Sequence, residues 1–419
     1  MKKRRLRYDR IFVLIGLILL IIVICFLLFR NDSNNASSKE VKMPLVVSKN
    51  ISSIDDLVKN SELILEKVYE YSDEFEKDFI ISQSITEGET VNKGDKLVIT
   101  VSLGKLDKEK LAQDNINELG RVPVMMYHGI VNKKSSETSY TGGNVDKDGY
   151  NRTVEAFKED LEFYYQNGYR MIRAIDYVNG IIDVPYGKSP IVLTFDDGNT
   201  NNIKVNGVTL DGEIIIDENS AVGVLESFKK KYPDFNVTAT FFVNGSLFQQ
   251  SEYNEKILKW LVENGYDIGN HTKTHVNFSD ASTKESEEEV GFVYNKLDSI
   301  IPDKYVKLVA LPFGSPYKKT HANFSHIINS NYNGINYETV STFRVGWMPD
   351  YSPFSKDFDK EFIMRVRAYD NNGVDFDIEA SFRILEKNRY VSDGNVDTIV
   401  IKESDASYIN DTNLKVISY

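Results

Sequence analysis

Short apolar runs alternate with amphipathic stretches from residue 122 onward, and this pattern constrains the fold more than any other feature of the chain. The runs at 122–127, 191–195, 237–243 and 307–311 are mostly continuous in their apolar residues, as in strands buried on both faces. A further short strand is expected at 267–269. Residues 153–166, 220–232, 254–263 and 284–300 read as helices. In the first of these Phe157, Leu161 and Tyr164 share a face and Gly168 follows the end. Such alternation predicts an α/β fold with a parallel sheet, and the length of 122–419 suits a (β/α) barrel, complete or incomplete. Functional side chains should then gather at the C-terminal strand ends.

At one such end stands Thr194-Phe195-Asp196-Asp197-Gly198. Two adjacent carboxylates are costly to bury unless a cation or a proton holds them. Ligation of a metal by one and base chemistry by the other would resolve that cost. A turn built on Asp-Asp-Gly is the plainer reading. His271 and His275 follow a later strand, four residues apart, in His271-Thr272-Lys273-Thr274-His275. Two imidazoles and one carboxylate make a three-ligand set with open positions, as a hydrolytic metal site needs. Histidine pairs at this spacing also occur on surfaces by coincidence. The alternating segment 203–216 reads as a β-hairpin inserted after the Asp pair, a candidate lip for substrate.

These two motifs, in this order, resemble the polysaccharide deacetylases of the NodB-homology type (carbohydrate esterase family 4), with the likeness spanning 122–419. Thr240-Phe241-Phe242-Val243 and Ala310-Leu311-Pro312-Phe313-Gly314 also stand in family positions. The resemblance implies a hydrolase that removes acetyl groups from glycans. Asp196 would be the base, and Asp197, His271 and His275 would hold a divalent metal, for which Zn²⁺ suits the donor set. The Phe313 amide, after Pro312, would face the oxyanion, and Trp347 would line the acetyl pocket or stack on a sugar.

Two departures qualify the likeness. Ala310 replaces the arginine that orients the base in the family, with Arg152 a speculative substitute. No histidine follows His326, although the family carries a late one as general acid. His128, at the end of the first strand, resembles the early acid histidine of permuted exopolysaccharide deacetylases, and we assign it that role. The rival reading is a catalytically inactive glycan-binding or wall-sensing protein.

Residues 44–103 read as a short helix, with Leu57 and Leu63-Ile64-Leu65 as its apolar positions, followed by strands. Ile80-Ile81-Ser82-Gln83-Ser84 and Lys93-Gly94-Asp95-Lys96-Leu97-Val98-Ile99 resemble a PASTA domain, a module of cell-wall enzymes and kinases. Residues 104–121 read as a connecting segment. Ahead lie a tail at 1–10 rich in Lys and Arg, an apolar run at 11–29 and a linker at 30–43. The run of about 19 residues is long enough to cross a membrane, and the preceding charges place the N-terminus in the cytoplasm. A cleaved signal peptide is the alternative. The lone cysteine, Cys25, lies in that run, so the remainder has no disulfides, which fits a Gram-positive cell surface. The net charge of −12 excludes a typical nucleic-acid binder. The expected substrate is an N-acetylated cell-envelope glycan. Peptidoglycan is favoured over poly-N-acetylglucosamine or an O-acetylated polysaccharide.

Overall fold

The structure, a computed structural model, describes residues 41–419. The chain divides into two compact units, Met1–Leu106 and Asp107–Tyr419. The membrane helix expected at 11–29 lies outside the described residues. Among those described, no helix is long and apolar enough to cross a membrane. The described residues therefore give no support to the membrane anchor, the cytoplasmic N-terminus or the Gram-positive surface placement expected from that run.

In the smaller unit the strand Lys96–Ser102 lies between Ile64–Glu70, parallel to it, and Ile80–Gln83, antiparallel. Its alternate residues Leu97, Ile99 and Val101 are fully buried against Ile54 and Ile80. The helix Asp55–Ser61 stops at Glu62, which adopts a left-handed φ of 50° and returns its N–H to the Val58 carbonyl. Leu63, Ile64 and Leu65, expected as apolar positions of that helix, therefore lead into the strand Ile64–Glu70 instead.

The larger unit is built on a nine-stranded parallel sheet. Its strands are β1 (Val124–Tyr127), β2 (Tyr169–Met171), β3 (Ser189–Phe195), β4 (Thr240–Val243), β5 (Asp267–Asn270), β6 (Leu308–Ala310), β7 (Ser341–Phe343), β8 (Phe362–Ile363) and β9 (Val366–Arg367). The order is β8-β7-β6-β5-β4-β3-β1-β9, with β2 paired to the start of β3. Helices α1 (Val154–Gln166), α2 (Ala221–Lys231), α3 (Asn254–Glu263), α4 (Thr283–Ile300) and α5 (Ile378–Asn388) accompany it. All seven residues of β3 are buried, which explains its continuous apolar run.

The sheet is an open, curled half-barrel rather than a closed barrel, because its edge strands β8 and β9 form no ladder with each other. They are nevertheless one segment of chain. Phe362 and Ile363 pair with β7, Val366 and Arg367 pair with β1, and only Met364 and Arg365 lie between. The hairpin after the Asp pair forms as Val205–Val208 against Ile214–Ile216. Ile214 and Ile216 pack on the core, Lys256 of α3 holds the Gly212 carbonyl at 2.7 Å, and Leu210 is fully exposed.

Residues 107–121 belong to the larger unit instead of bridging two domains. Glu118 is buried, and its carboxylate accepts from Tyr390 Oη and the Val400 amide. Burial pushes this carboxyl well up.

Asp350 fixes the approach to this seam, the segment 362–367 that pairs with both β7 and β1. It exchanges backbone hydrogen bonds with Val122, and its carboxylate accepts from the amides of Tyr351 (2.8 Å) and Met364 (2.9 Å). Burial pushes it up to about 7, against those two hydrogen bonds. Unfolded, the group ionises near its ordinary value of about 4; folded, it holds its proton until about 7. Stability from this group is thus present at low pH and lost as pH rises between those values, by up to about 4 kcal/mol. Thermal melts from pH 5 to pH 8 should show a steeper decline for the wild type than for Asp350→Asn. Equal slopes would contradict the assignment.

Candidate functional site

The site forms at the C-terminal ends of β3, β5 and β6. The Asp196 amide donates to the Tyr127 carbonyl, so the ladder with β1 persists to the first carboxylate. Asp197 then takes a left-handed φ of 74°, and the next residue must be glycine. A Cβ on Gly198 would stand 2.2 Å from the Leu247 carbonyl oxygen. This turn sends the adjacent carboxylates to different partners.

Asp196 is 2% exposed and pairs with Arg365, which is 0% exposed. The guanidinium is bidentate, with both N–H···O distances 2.7 Å. It also donates to Thr194 Oγ1 at 3.1 Å and, through Nε, to the Arg344 carbonyl at 3.1 Å. Burial alone would push Asp196 up; Arg365 and the nearby imidazoles outweigh it and hold the carboxyl below its usual range.

Asp197 faces His271 and His275. Its Oδ1 lies 3.2 Å from His271 Nε2 and 3.5 Å from His275 Nε2, and one donor atom from each residue falls within 4.8 Å of the others. His271 Nδ1 is 2.9 Å from the Ala310 carbonyl, which fixes the proton there and leaves Nε2 as a lone-pair donor. That Nε2 is buried and makes no hydrogen bond among the described residues. Burial pushes Asp197 up, but the His271 contact outweighs it and leaves the carboxylate well below its ordinary value. Burial opposes protonation of His271, and the two aspartates reverse this. His275, less exposed to that field, is lowered by burial and by His271. An orphaned buried imidazole nitrogen beside a carboxylate and a second imidazole fits a divalent cation.

The loop between the histidines is held from outside. Glu289 of α4 accepts from Thr274 N (2.8 Å) and Thr274 Oγ1 (2.6 Å), and Thr272 Oγ1 accepts from the His275 amide at 3.1 Å. Thr272 (φ 67°), His275 (φ 63°) and Phe313 (φ 57°) share the left-handed conformation of Asp197. Four non-glycine residues in this sparsely populated region meet at one site, a clustering seen where geometry serves function.

Phe313, just after the buried Pro312, sets its exposed ring edge-on to His275, with centroids 4.6 Å apart. Trp347 is partly exposed beneath the Arg344 guanidinium, 4.7 Å from it. The neighbouring Gly346 is packed so tightly on the seam that a Cβ there would meet the Arg365 carbonyl at 2.3 Å.

His128 follows the end of β1, directly after Tyr127, whose carbonyl accepts from the Asp196 amide. Its carbonyl accepts from Asn202 Nδ2 at 2.6 Å, and Tyr150 packs edge-on at 4.8 Å. Nδ1 is buried with no hydrogen-bond partner among the described residues. Burial lowers the imidazole; Asp196 and Asp197 act in the opposite direction. His321 caps a helix and His326 pairs with Glu287 at 3.0 Å, so both are structural.

Arg152 does not orient the base. It is engaged with Asp160 (2.8 Å) and Asn144 (3.0 Å). Arg365 takes that contact instead, and sequence reasoning missed it. The only signal is an arginine inside the apolar stretch Phe362-Ile363-Met364-Arg365-Val366.

Two family models match parts of this chain. Residues 183–327, which carry all three candidate ligands and Asp196, match the polysaccharide deacetylase family model, and residues 41–103 match that of the PASTA domain. The chain is 28% identical over 133 residues to the peptidoglycan-N-acetylglucosamine deacetylase of Bacillus cereus. That match covers 31% of this chain and 38% of the curated relative's length. Among solved structures, the Streptococcus pyogenes deacetylase PplD in complex with acetate is 18% identical, with a TM-score of 0.43 over 60% of this chain and 94% of that one. A de-N-acetylase from Aggregatibacter actinomycetemcomitans is 14% identical, with a TM-score of 0.39 over 64% and 99%.

Proposed function

We propose that this chain, whose matched segment and Asp/His/His group support a hydrolase of the polysaccharide-deacetylase type, removes acetyl groups from an N-acetylated cell-envelope glycan. The convergence of Asp197, His271 and His275 carries the reading. A divalent metal held there, for which Zn²⁺ suits the His₂Asp set, would supply Lewis acidity to the acetyl carbonyl and to a water. Asp196, kept ionised by Arg365, takes a proton from the attacking water. The Phe313 amide faces the oxygen that gains charge. His128 gives a proton to the departing nitrogen. A buried imidazole holds that proton weakly and releases it readily. The C–N bond breaks, a C–O bond forms, and the products are acetate and a free amine.

Peptidoglycan is the favoured substrate, on the PASTA match and the activity that the Bacillus cereus relative is named for. The rival reading, a binding protein without activity, rested partly on the missing motif arginine, and Arg365 now makes that contact. The test is acetate release from peptidoglycan and from poly-N-acetylglucosamine by the metal-loaded full chain. Asp196→Asn and His128→Ala should each lower kcat by at least about a hundredfold. Full activity in His128→Ala would place the acid elsewhere. No acetate from either polymer would return the binding-only reading.

A further inference from the structure

On the His128 side of the site the larger unit carries a cavity of about 440 Å³. Its walls include Tyr140, Lys147 and Asp148 on one side and Arg367, Tyr369 and Asn371 on the other. Both walls lie outside residues 183–327, the segment matched by the deacetylase family. Arg367 ends β9, which pairs with β1, which pairs with β3. At about 4.8 Å per strand, the cavity begins about 10 Å along the rim from Asp196. Side chains make the connection: the His128 ring meets Tyr150 at 4.8 Å, and Tyr150 lies 5.8 Å from the Arg367 guanidinium.

The cavity is built rather than incidental. Asp146 accepts from the amides of Tyr150 and Asn151, closing the loop that carries Tyr140 and Lys147. Asn144 clamps that loop to Asp370, donating to its carbonyl at 2.6 Å and accepting from its amide at 3.2 Å. A Cβ on Gly149 would stand 2.3 Å from Tyr369 Cβ, so the two walls touch. Arg367 lies against the Tyr369 ring with Cζ 4.1 Å from the centroid, and its guanidinium makes one bond among the described residues, to the Asp148 carbonyl at 3.3 Å. Tyr140 is 44% exposed.

The chemistry selects a ligand. Lys147 and Arg367 are cationic and Asp148, Asp370 and Asp375 anionic, so a multiply charged anion finds no net attraction. A neutral ring bearing many hydroxyls does fit, because each hydroxyl can donate to a carboxylate and accept from a guanidinium or ammonium. The exposed ring of Tyr140 offers contact to its C–H surface. We propose that this cavity is a subsite for a neutral sugar of the glycan chain, next to the unit that is deacetylated and on the His128 side. It deepens the deacetylase reading and rests on that reading's glycan substrate.

The test uses the full chain, a soluble pentasaccharide of β-1,4-linked N-acetylglucosamine, and 4-nitrophenyl acetate as a small ester that cannot reach the cavity. In Tyr140→Ala and Lys147→Ala the ratio of kcat/KM for the pentasaccharide to that for the ester should fall about tenfold, the equivalent of one lost contact. An unchanged ratio in both would overturn the subsite. Should the wild type release no acetate at all, the deacetylase reading fails separately, and calorimetric binding of the pentasaccharide decides the subsite. Binding weakened by Tyr140→Ala would sustain it. Equal affinity, or no binding by the wild type, would overturn it.

Discussion

Replacing Arg365 by methionine is expected to destabilise the larger unit by about 3–5 kcal/mol, because it strands the Asp196 carboxylate at 2% exposure with its cationic partner gone. The wild-type pair is bidentate, and two further hydrogen bonds use two of the three remaining N–H groups of the guanidinium. Such a pair is costly to break from one side, whatever its net contribution when whole. The double variant Arg365→Met/Asp196→Asn should recover part of the loss by removing the stranded charge. It should recover none of the acetate release, since it has no base. Arg365→Lys keeps the charge without the planar fork and should fall between wild type and methionine in both stability and rate. The sign for pH follows. With the guanidinium in place Asp196 ionises below its ordinary value; with burial acting alone it ionises above. Residual activity of Arg365→Met should therefore need a higher pH than that of the wild type. Chemical denaturation and pH–rate profiles of the four proteins check this. A melting point for Arg365→Met equal to the wild type would contradict it.

The second large effect concerns the cation. Removing it with a chelator should abolish acetate release, and adding Zn²⁺ back should restore it. His271→Ala should bind the metal at least about a hundredfold more weakly, since even outer partners of a metal ligand typically cost ten- to a hundredfold. A ligand that binds only the folded chain raises stability by about 2.7 kcal/mol at a hundred times its Kd. Zn²⁺ should thus raise the melting temperature of the wild type and leave His271→Ala where it was. This readout needs no substrate, so it tests the site even if the acetylated glycan is misassigned. An equal shift in the two proteins would place the metal elsewhere.

Much of this was legible because parallel strands covered on both faces write themselves as continuous apolar runs. β3 is buried at every position, and its end announced the Asp pair. Helix α3 was visible because Ile257, Leu258 and Leu261 form one buried face. The seam was invisible for the opposite reason. Two ladders of two residues each leave no periodicity, and the side-chain partners of Arg365 lie 169 and 171 positions away. Arg152 was a plausible substitute by position alone, whereas its neighbours Asp160 and Asn144 are set by how α1 packs. The smaller unit misled at Leu63-Ile64-Leu65, where apolar character fits helix and strand equally and the backbone of Glu62 decided. Ala310 looked like a loss, yet its carbonyl is what orients His271.

The seam makes integrity and competence inseparable. Six consecutive residues hold both margins of the half-barrel, and the arginine in their midst holds the base. Fraying of this one segment would release the margins and the carboxylate together, well short of global denaturation. Amide exchange at Ile363, Met364 and Val366 should accordingly track inactivation during mild heating, while Leu193 and Phe241 in the middle of the sheet stay protected. The enzyme would then fail as a hinge pin fails, from one short piece, with the body of the fold still intact.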